Sequence, residues 1–148
     1  MKRKKILFVC TGNTCRSPMA EALMRDEIKK RKIKWWDVAS RGISAEVGGA
    51  LSDNSRLALE EDGIVLAGFK PKQLTKTQIT TCALVVTMTE QQKNLLGSNG
   101  NVRCIKEFCG CDVPDPYGCG LEVYRMTRDI IKMACEKIIE DYVLKYEE

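Results

Sequence analysis

Close to the amino end, the run Cys10-Thr11-Gly12-Asn13-Thr14-Cys15-Arg16-Ser17-Pro18 brings a thiol, a guanidinium and a hydroxyl into one short segment. An ionised thiol is a strong nucleophile, and the planar fork of an arginine holds two oxygens of a phosphoryl group at once, which a lysine ammonium cannot do. Gly12 and Asn13 tolerate the left-handed backbone that curls successive N–H groups around an anion. Ser17-Pro18 reads as a helix start, with serine at the cap and proline at the first helical position, so the positive end of a helix dipole faces the same loop. Dipole and guanidinium together favour the thiolate form of Cys10, and the Ser17 hydroxyl is placed to donate to its sulfur. A plainer reading takes Cys10 as a buried strand-end thiol, Arg16 as a surface charge and Ser17 as an ordinary cap. It explains each residue singly, but not their coincidence at the positions an anion cradle needs.

Expelling a leaving group from phosphorus also takes a proton donor, which can later remove a proton from the attacking water. The chain has no histidine, so a carboxylic acid has to supply that proton. The stretch from Phe108 to Gly120, rich in glycine, proline, aspartate and cysteine, offers Asp112 and Asp115. Pro114 and Pro116 stiffen the backbone around the second of these.

The elements that must hold these groups follow from patterning. Ile6 to Val9 is a continuous apolar run after a lysine cluster, as a strand buried on both faces would be. Ala20, Leu23, Met24 and Ile28 recur at helical spacing after Pro18. The alternation continues with a short strand over Asp37 to Ser40, a helix over Asp53 to Asp62, a strong strand over Ala83 to Met88 and a helix capped by Thr89 through Leu96. A fourth strand over Val102 to Ile105 follows. A long last helix carries Val123, Met126, Ile130, Ala134, Ile138 and Tyr142 near one face. Strands alternating with helices predict an α/β fold: a single doubly wound domain over residues 1–148, a four-stranded parallel sheet with helices on both faces. Ligands bind such sheets beyond the carboxyl ends of the strands, where the strand order reverses, which directs attention to the loop after the first strand.

Composition narrows the function classes. At 148 residues the chain fits one domain. No apolar run reaches the roughly 20 residues that span a bilayer, nor the length of a signal-peptide core, so a soluble protein without a membrane role is expected. The 8 cysteines, with no export signal, point to a reducing, cytoplasmic setting and free thiols. Cys82 and Cys135 read as small core residues. The net charge of +4 is modest, and the basic clusters at Lys2 to Lys5 and Lys29 to Lys34 lack the aromatic or groove-reading partners that nucleic-acid binding needs. A zinc site from Cys104, Cys109, Cys111 and Cys119 would lack two clean C-x2-C knuckles, and a passive anion-binding module has no need for a nucleophilic thiol.

With those residues in view, CTGNTCRSP at Cys10 to Pro18 resembles the phosphate loop of the low-molecular-weight protein tyrosine phosphatases, closest in motif to the bacterial protein-arginine phosphatases of that family. The likeness continues through Met19-Ala20-Glu21, Ser40 with Gly42, and Asp115-Pro116-Tyr117, in order along essentially the whole chain. It implies a cysteine-dependent protein phosphatase working through a cysteinyl-phosphate, with phosphorylated proteins as substrates, oxyanions such as phosphate as ligands, and neither metal nor cofactor. Carried over residue by residue, the resemblance makes Cys10 the nucleophile, Arg16 the phosphoryl clamp, Asp115 the general acid and Ser17 a partner of the sulfur. Thr11, Gly12, Asn13, Thr14 and Cys15 would line the phosphate site, and Tyr117 would form a pocket wall. Cys15 could also capture oxidised Cys10 as a disulfide.

The resemblance bears on substrate too. Thr14 stands where tyrosine-directed relatives commonly carry isoleucine and arginine-directed ones threonine. Ile43-Ser44-Ala45-Glu46-Val47 lacks a common second aromatic wall, and Gly118 replaces a common second tyrosine. Phosphoarginine is therefore favoured over phosphotyrosine. Arsenate reductases can share the loop, but they relay electrons through cysteines after the third strand, where Thr89 to Gly100 has none. Members often support the loop asparagine with a histidine; Gly68 falls there, which leaves the support of Asn13 open.

Overall fold

A computed structural model describes residues 2–146 of the chain; residues 1, 147 and 148 of the expected domain span lie outside the described residues. Four parallel strands, β1 (Lys4–Cys10), β2 (Trp36–Gly42), β3 (Leu84–Thr87) and β4 (Val102–Cys104), form one sheet in the order β2-β1-β3-β4. The central β1 explains its own unbroken apolar run. Ile6, Phe8 and Cys10 point into the larger core, while Leu7 and Val9 point into a smaller one with Cys82, Val85 and Val102. Each face of a strand with helices on both sides must be apolar, because neither meets water.

Helix α1 (Arg16–Lys30) packs against α6 (Leu121–Ile138) on the larger core, with α2 (Asp53–Glu61) beside them. On the smaller core lie α3 (Lys76–Thr81) and α4 (Glu90–Leu96), whose Ile79 and Leu96 touch it. A one-turn α5 (Lys106–Cys109) leads into the proline-rich stretch, and a π-helical turn at Ile139–Val143 with a last turn at Leu144–Tyr146 ends the described chain. The α/β architecture, the four parallel strands and the order of the main helices match the sequence expectation.

Three details differ from expectation. Ser17 does not cap α1: the helix begins one residue earlier, at Arg16, and Cys15 occupies the cap position with no side-chain bond to the first turn. Pro18 is accommodated because an N–H in the first turn has no helical acceptor to lose. On α6 the buried stripe is Tyr124, Thr127, Ile131, Ala134, Cys135 and Ile138, whereas Val123 and Met126 are exposed. The stripe includes Tyr124 and Thr127, whose hydroxyls find partners in Cys15 and the Val123 carbonyl; following only the apolar residues turns the face outward. Finally, β2 begins at Trp36 and runs on to Gly42, which brings its carboxyl end level with Cys10.

Candidate active site

The switch in strand order falls between β1 and β3, so the segment leaving β1 opens onto the crevice there. Residues 11–15 connect Cys10 to the start of α1, and most of the loop carbonyls are engaged by the segment after β2. Ile43, Ser44, Glu46 and Ser52 donate backbone N–H groups to the carbonyls of Cys10, Thr11, Gly12 and Thr14 at 2.9, 2.9, 3.1 and 3.0 Å. Among the described residues, no backbone carbonyl accepts from the N–H of Gly12, Thr14 or Cys15, which leaves these donors for an anion. Asn13 has φ 59° and takes the left-handed turn. Gly12 does not, contrary to expectation, and a Cβ there would meet only ordinary contacts at 3.7–3.8 Å. The glycine that the loop does require is Gly42, where a Cβ would stand 2.7 Å from the Thr11 carbonyl oxygen.

Behind the loop a chain of buried hydrogen bonds sets the direction of every proton. The Asn13 Nδ2 amide donates to Ser17 Oγ at 2.8 Å and to Ser40 Oγ at 3.0 Å, while Lys72 N–H donates to Asn13 Oδ1 at 3.0 Å. Ser40 in turn donates to Glu21 Oε1 at 2.8 Å. An amide nitrogen only donates, so Ser17 accepts from Asn13 and its own proton is free for Cys10 Sγ, 2.8 Å away. The Asn13 backbone N–H adds a second donor to that sulfur at 3.3 Å. Ser40 and the Lys72 backbone thus support Asn13 where Gly68 carries no side chain. On the other side of the loop, Gln92 of the α4 capping box donates Nε2 to Thr11 Oγ1 at 3.1 Å. Asn13→Ala should cost about 1–3 kcal/mol of stability, the ordinary penalty for stranding buried partners. It should also lower kcat more than it raises KM, because Ser17 loses its orienting donor. Denaturant titration together with steady-state kinetics checks both, and an unchanged kcat would remove the network from the chemistry.

Arg16 is buried, and its Nη1 donates to the Val113 carbonyl at 2.9 Å, so the guanidinium is held at the pocket floor. Its Nη2 lies 3.9 Å from Asp115 Oδ2. Asp115 also accepts the Tyr117 N–H through Oδ1 at 3.1 Å, a side-chain turn that fixes the carboxyl beside the pocket. Asp112 is engaged elsewhere, accepting from the Glu90 N–H at 3.1 Å and from the Cys104 thiol at 3.5 Å. Cys10, Thr14, Cys15, Arg16, Asp115 and Tyr117 border one cleft of about 170 Å³, with Thr11, Gly12, Ser44 and Glu46 completing it. Tyr117 is an exposed rim residue and not a closed wall. The Cys15 thiol meets Tyr124 Oη at 3.5 Å, and burial followed by that contact pushes the Tyr124 hydroxyl well above its ordinary pKa.

Every residue that the family likeness assigned to the site borders this cleft or, as with Asn13 and Ser17, stands directly behind it, whereas the competing acid Asp112 does not. Given no role from the sequence were Ser40, Glu21, Gln92 and Glu46; Glu21 and Ser40 entered only as parts of the motif likeness and Glu46 only within the stretch lacking an aromatic wall, and nothing pointed to Gln92. Away from the cleft, Cys82, Cys104 and Cys135 are buried thiols. Burial raises Cys82 and Cys135 above the ordinary thiol range and pushes Cys104 up to about 11. Among the described residues, no three His, Cys, Asp or Glu side chains gather where they could hold a metal ion.

Comparison with known proteins gives a consistent picture. The family model described as low molecular weight phosphotyrosine protein phosphatase matches residues 5–147. A protein-arginine-phosphatase from Geobacillus stearothermophilus is 34% identical over 144 residues, covering 92% of this chain and 94% of that protein. A low molecular weight protein tyrosine phosphatase from T. tengcongensis has a crystal structure with TM-score 0.87 and 36% identity, covering 93% of this chain and 98% of its own. The YwlE arginine phosphatase, in a cysteine-to-serine mutant with a phosphorylated active site serine, superposes with TM-score 0.82 at 33% identity, covering 95% and 99%.

Proposed function

Because the chain belongs to the low molecular weight phosphotyrosine protein phosphatase family, we propose that it hydrolyses phosphorylated protein side chains through a cysteinyl-phosphate and that its substrate is phosphoarginine. In the first step Cys10 Sγ forms a bond to phosphorus as the bond to the leaving nitrogen breaks, and the Asp115 carboxyl passes its proton to that nitrogen. In the second, a water oxygen attacks phosphorus, Asp115 takes the water proton, and the sulfur departs as thiolate toward the Ser17 hydroxyl, 2.8 Å away. Arg16 and the loop N–H groups hold the equatorial oxygens throughout, which supplies most of the transition-state stabilisation in phosphoryl transfer. The phosphorylated serine of the YwlE mutant supports position 10 as the phosphoryl acceptor. We place the protein in the cytoplasm on the strength of its free thiols. Cys15 lines the same cleft as Cys10, so a Cys10 sulfenic acid formed by peroxide can condense with it to a reversible disulfide.

The observation that carries the substrate reading is Thr14, whose branched hydroxyl side chain borders the cleft beside Cys10. It offers an oxygen to the N–H groups of a guanidinium, which the apolar isoleucine common in tyrosine-directed relatives would not. The protein-arginine-phosphatase from Geobacillus stearothermophilus adds support. Thr14→Ile should lower kcat/KM for phosphoarginine peptides by about 10-fold or more, the scale on which one side-chain group discriminates, and raise it for phosphotyrosine peptides. Preference for phosphotyrosine in the natural protein would overturn the arginine reading and leave the phosphatase reading standing.

A further inference from the structure

The cleft holds a charge that phosphate chemistry does not ask for. Glu46 lies in the segment after β2, and its backbone N–H is bound to the Gly12 carbonyl at 3.1 Å. Its side chain folds over the phosphate loop: Cγ and Cδ come within 3.7 and 3.8 Å of where a Cβ on Gly12 would stand. Among the described residues it pairs with no cation, while Arg16 is the only cationic side chain bordering the cleft. A phosphoryl dianion entering here, where Asp115 carries the proton it gives to the leaving group, therefore meets the Glu46 carboxylate as well as the Arg16 guanidinium.

Such a charge at the mouth raises the cost of binding any phosphate ester whose leaving group is neutral. It lowers the cost only where the leaving group is itself a cation, because attraction to Glu46 then offsets repulsion from the phosphoryl oxygens. Phosphoarginine is that case: a dianion joined directly to a protonated guanidinium, which leaves as an arginine cation. We infer that Glu46 is a specificity-determining residue that receives the guanidinium of phosphoarginine above the phosphate loop, favouring it over the neutral phenol of phosphotyrosine. This rests on the proposed arginine phosphatase activity and gives that activity a second determinant, placed by the strand β2 side of the pocket across Gly12 from Thr14. Its anchor to the loop is a backbone bond, so replacing the side chain leaves the loop pinned.

The test compares kcat/KM for phosphoarginine and phosphotyrosine in otherwise identical, uncharged peptides, using the natural protein, Glu46→Gln, Glu46→Asp and Glu46→Lys at low and at high salt. Neutralisation should lower the arginine-to-tyrosine ratio about 2- to 5-fold, the range for one solvent-exposed charge pair. Charge reversal should lower it further, and aspartate should restore most of it. The differences should shrink at about 0.5 M salt, where exposed charges are screened. A ratio that does not move in an enzyme that does hydrolyse phosphoarginine would overturn the role of Glu46 alone. A natural protein inactive on phosphoarginine would overturn the proposed substrate instead.

Discussion

Replacing Cys10 by serine is expected to lower turnover by at least about 10,000-fold, the scale on which loss of a catalytic nucleophile is felt, while phosphate still binds. The site separates the two functions. Anion capture belongs to Arg16, held at the pocket floor by the Val113 carbonyl, and to the N–H groups of a loop most of whose carbonyls are engaged by residues 43–52. None of these depends on sulfur. Attack on phosphorus does, because a serine hydroxyl stays protonated at neutral pH, and Ser17 Oγ and the Asn13 N–H supply donors to the atom at that position but no base to remove its proton. Any phosphoserine that forms stays trapped, because a serine alkoxide is a far poorer leaving group than a thiolate. Calorimetric titration with inorganic phosphate, single-turnover hydrolysis of a phosphopeptide, and mass measurement of the recovered protein read binding, chemistry and trapping separately. Turnover within tenfold of the natural rate would remove Cys10 from the nucleophile's role, and lost phosphate affinity would show that the sulfur holds the loop together.

Cys10, Asn13, Arg16 and Ser17 could be found from the sequence because their relation is local: a strand end, a tight loop and a helix start fix their mutual placement within eight consecutive positions. The strand run at Ile6 to Val9 was equally legible, since burial on both faces removes polar residues altogether. What distant segments contribute was not. That Ser40 and the Lys72 backbone hold Asn13, that Gln92 reaches Thr11, and that Glu46 folds over Gly12 are consequences of how β2 and β3 register against β1. Helices α3 and α5, of 6 and 4 residues, are too short for a 3.6-residue period to show, although Thr75 and Gln78 do form a capping box. The misplaced cap at Ser17 has a chemical cause: its hydroxyl serves the Cys10 sulfur, so the preference for serine before a proline-started helix is diverted to the site.

Asp115→Asn is expected to slow hydrolysis of phosphoarginine by about 100- to 10,000-fold, the contribution typical of a positioned general acid, and to do so in proportion to how poor the leaving group is. The substitution suits the local geometry. Asparagine keeps an oxygen to accept the Tyr117 N–H, as Asp115 Oδ1 does at 3.1 Å, so the turn between Pro114 and Pro116 is retained. What it lacks is a proton to give. An aryl phosphate whose phenol leaves readily as an anion needs little help in the first step, whereas guanidine is a much stronger base and departs far more readily as it takes a proton, so the loss should grow steadily across a series of leaving groups. Asp112 provides the contrast. Its carboxylate is committed to the Glu90 N–H and the Cys104 thiol, and an asparagine there still offers one acceptor oxygen, so Asp112→Asn should leave the leaving-group dependence as it was. Measured kcat/KM against leaving-group pKa for both variants decides the matter: a uniform loss across the series for Asp115→Asn would mean that its carboxyl steers Arg16, 3.9 Å away, and does not donate the proton.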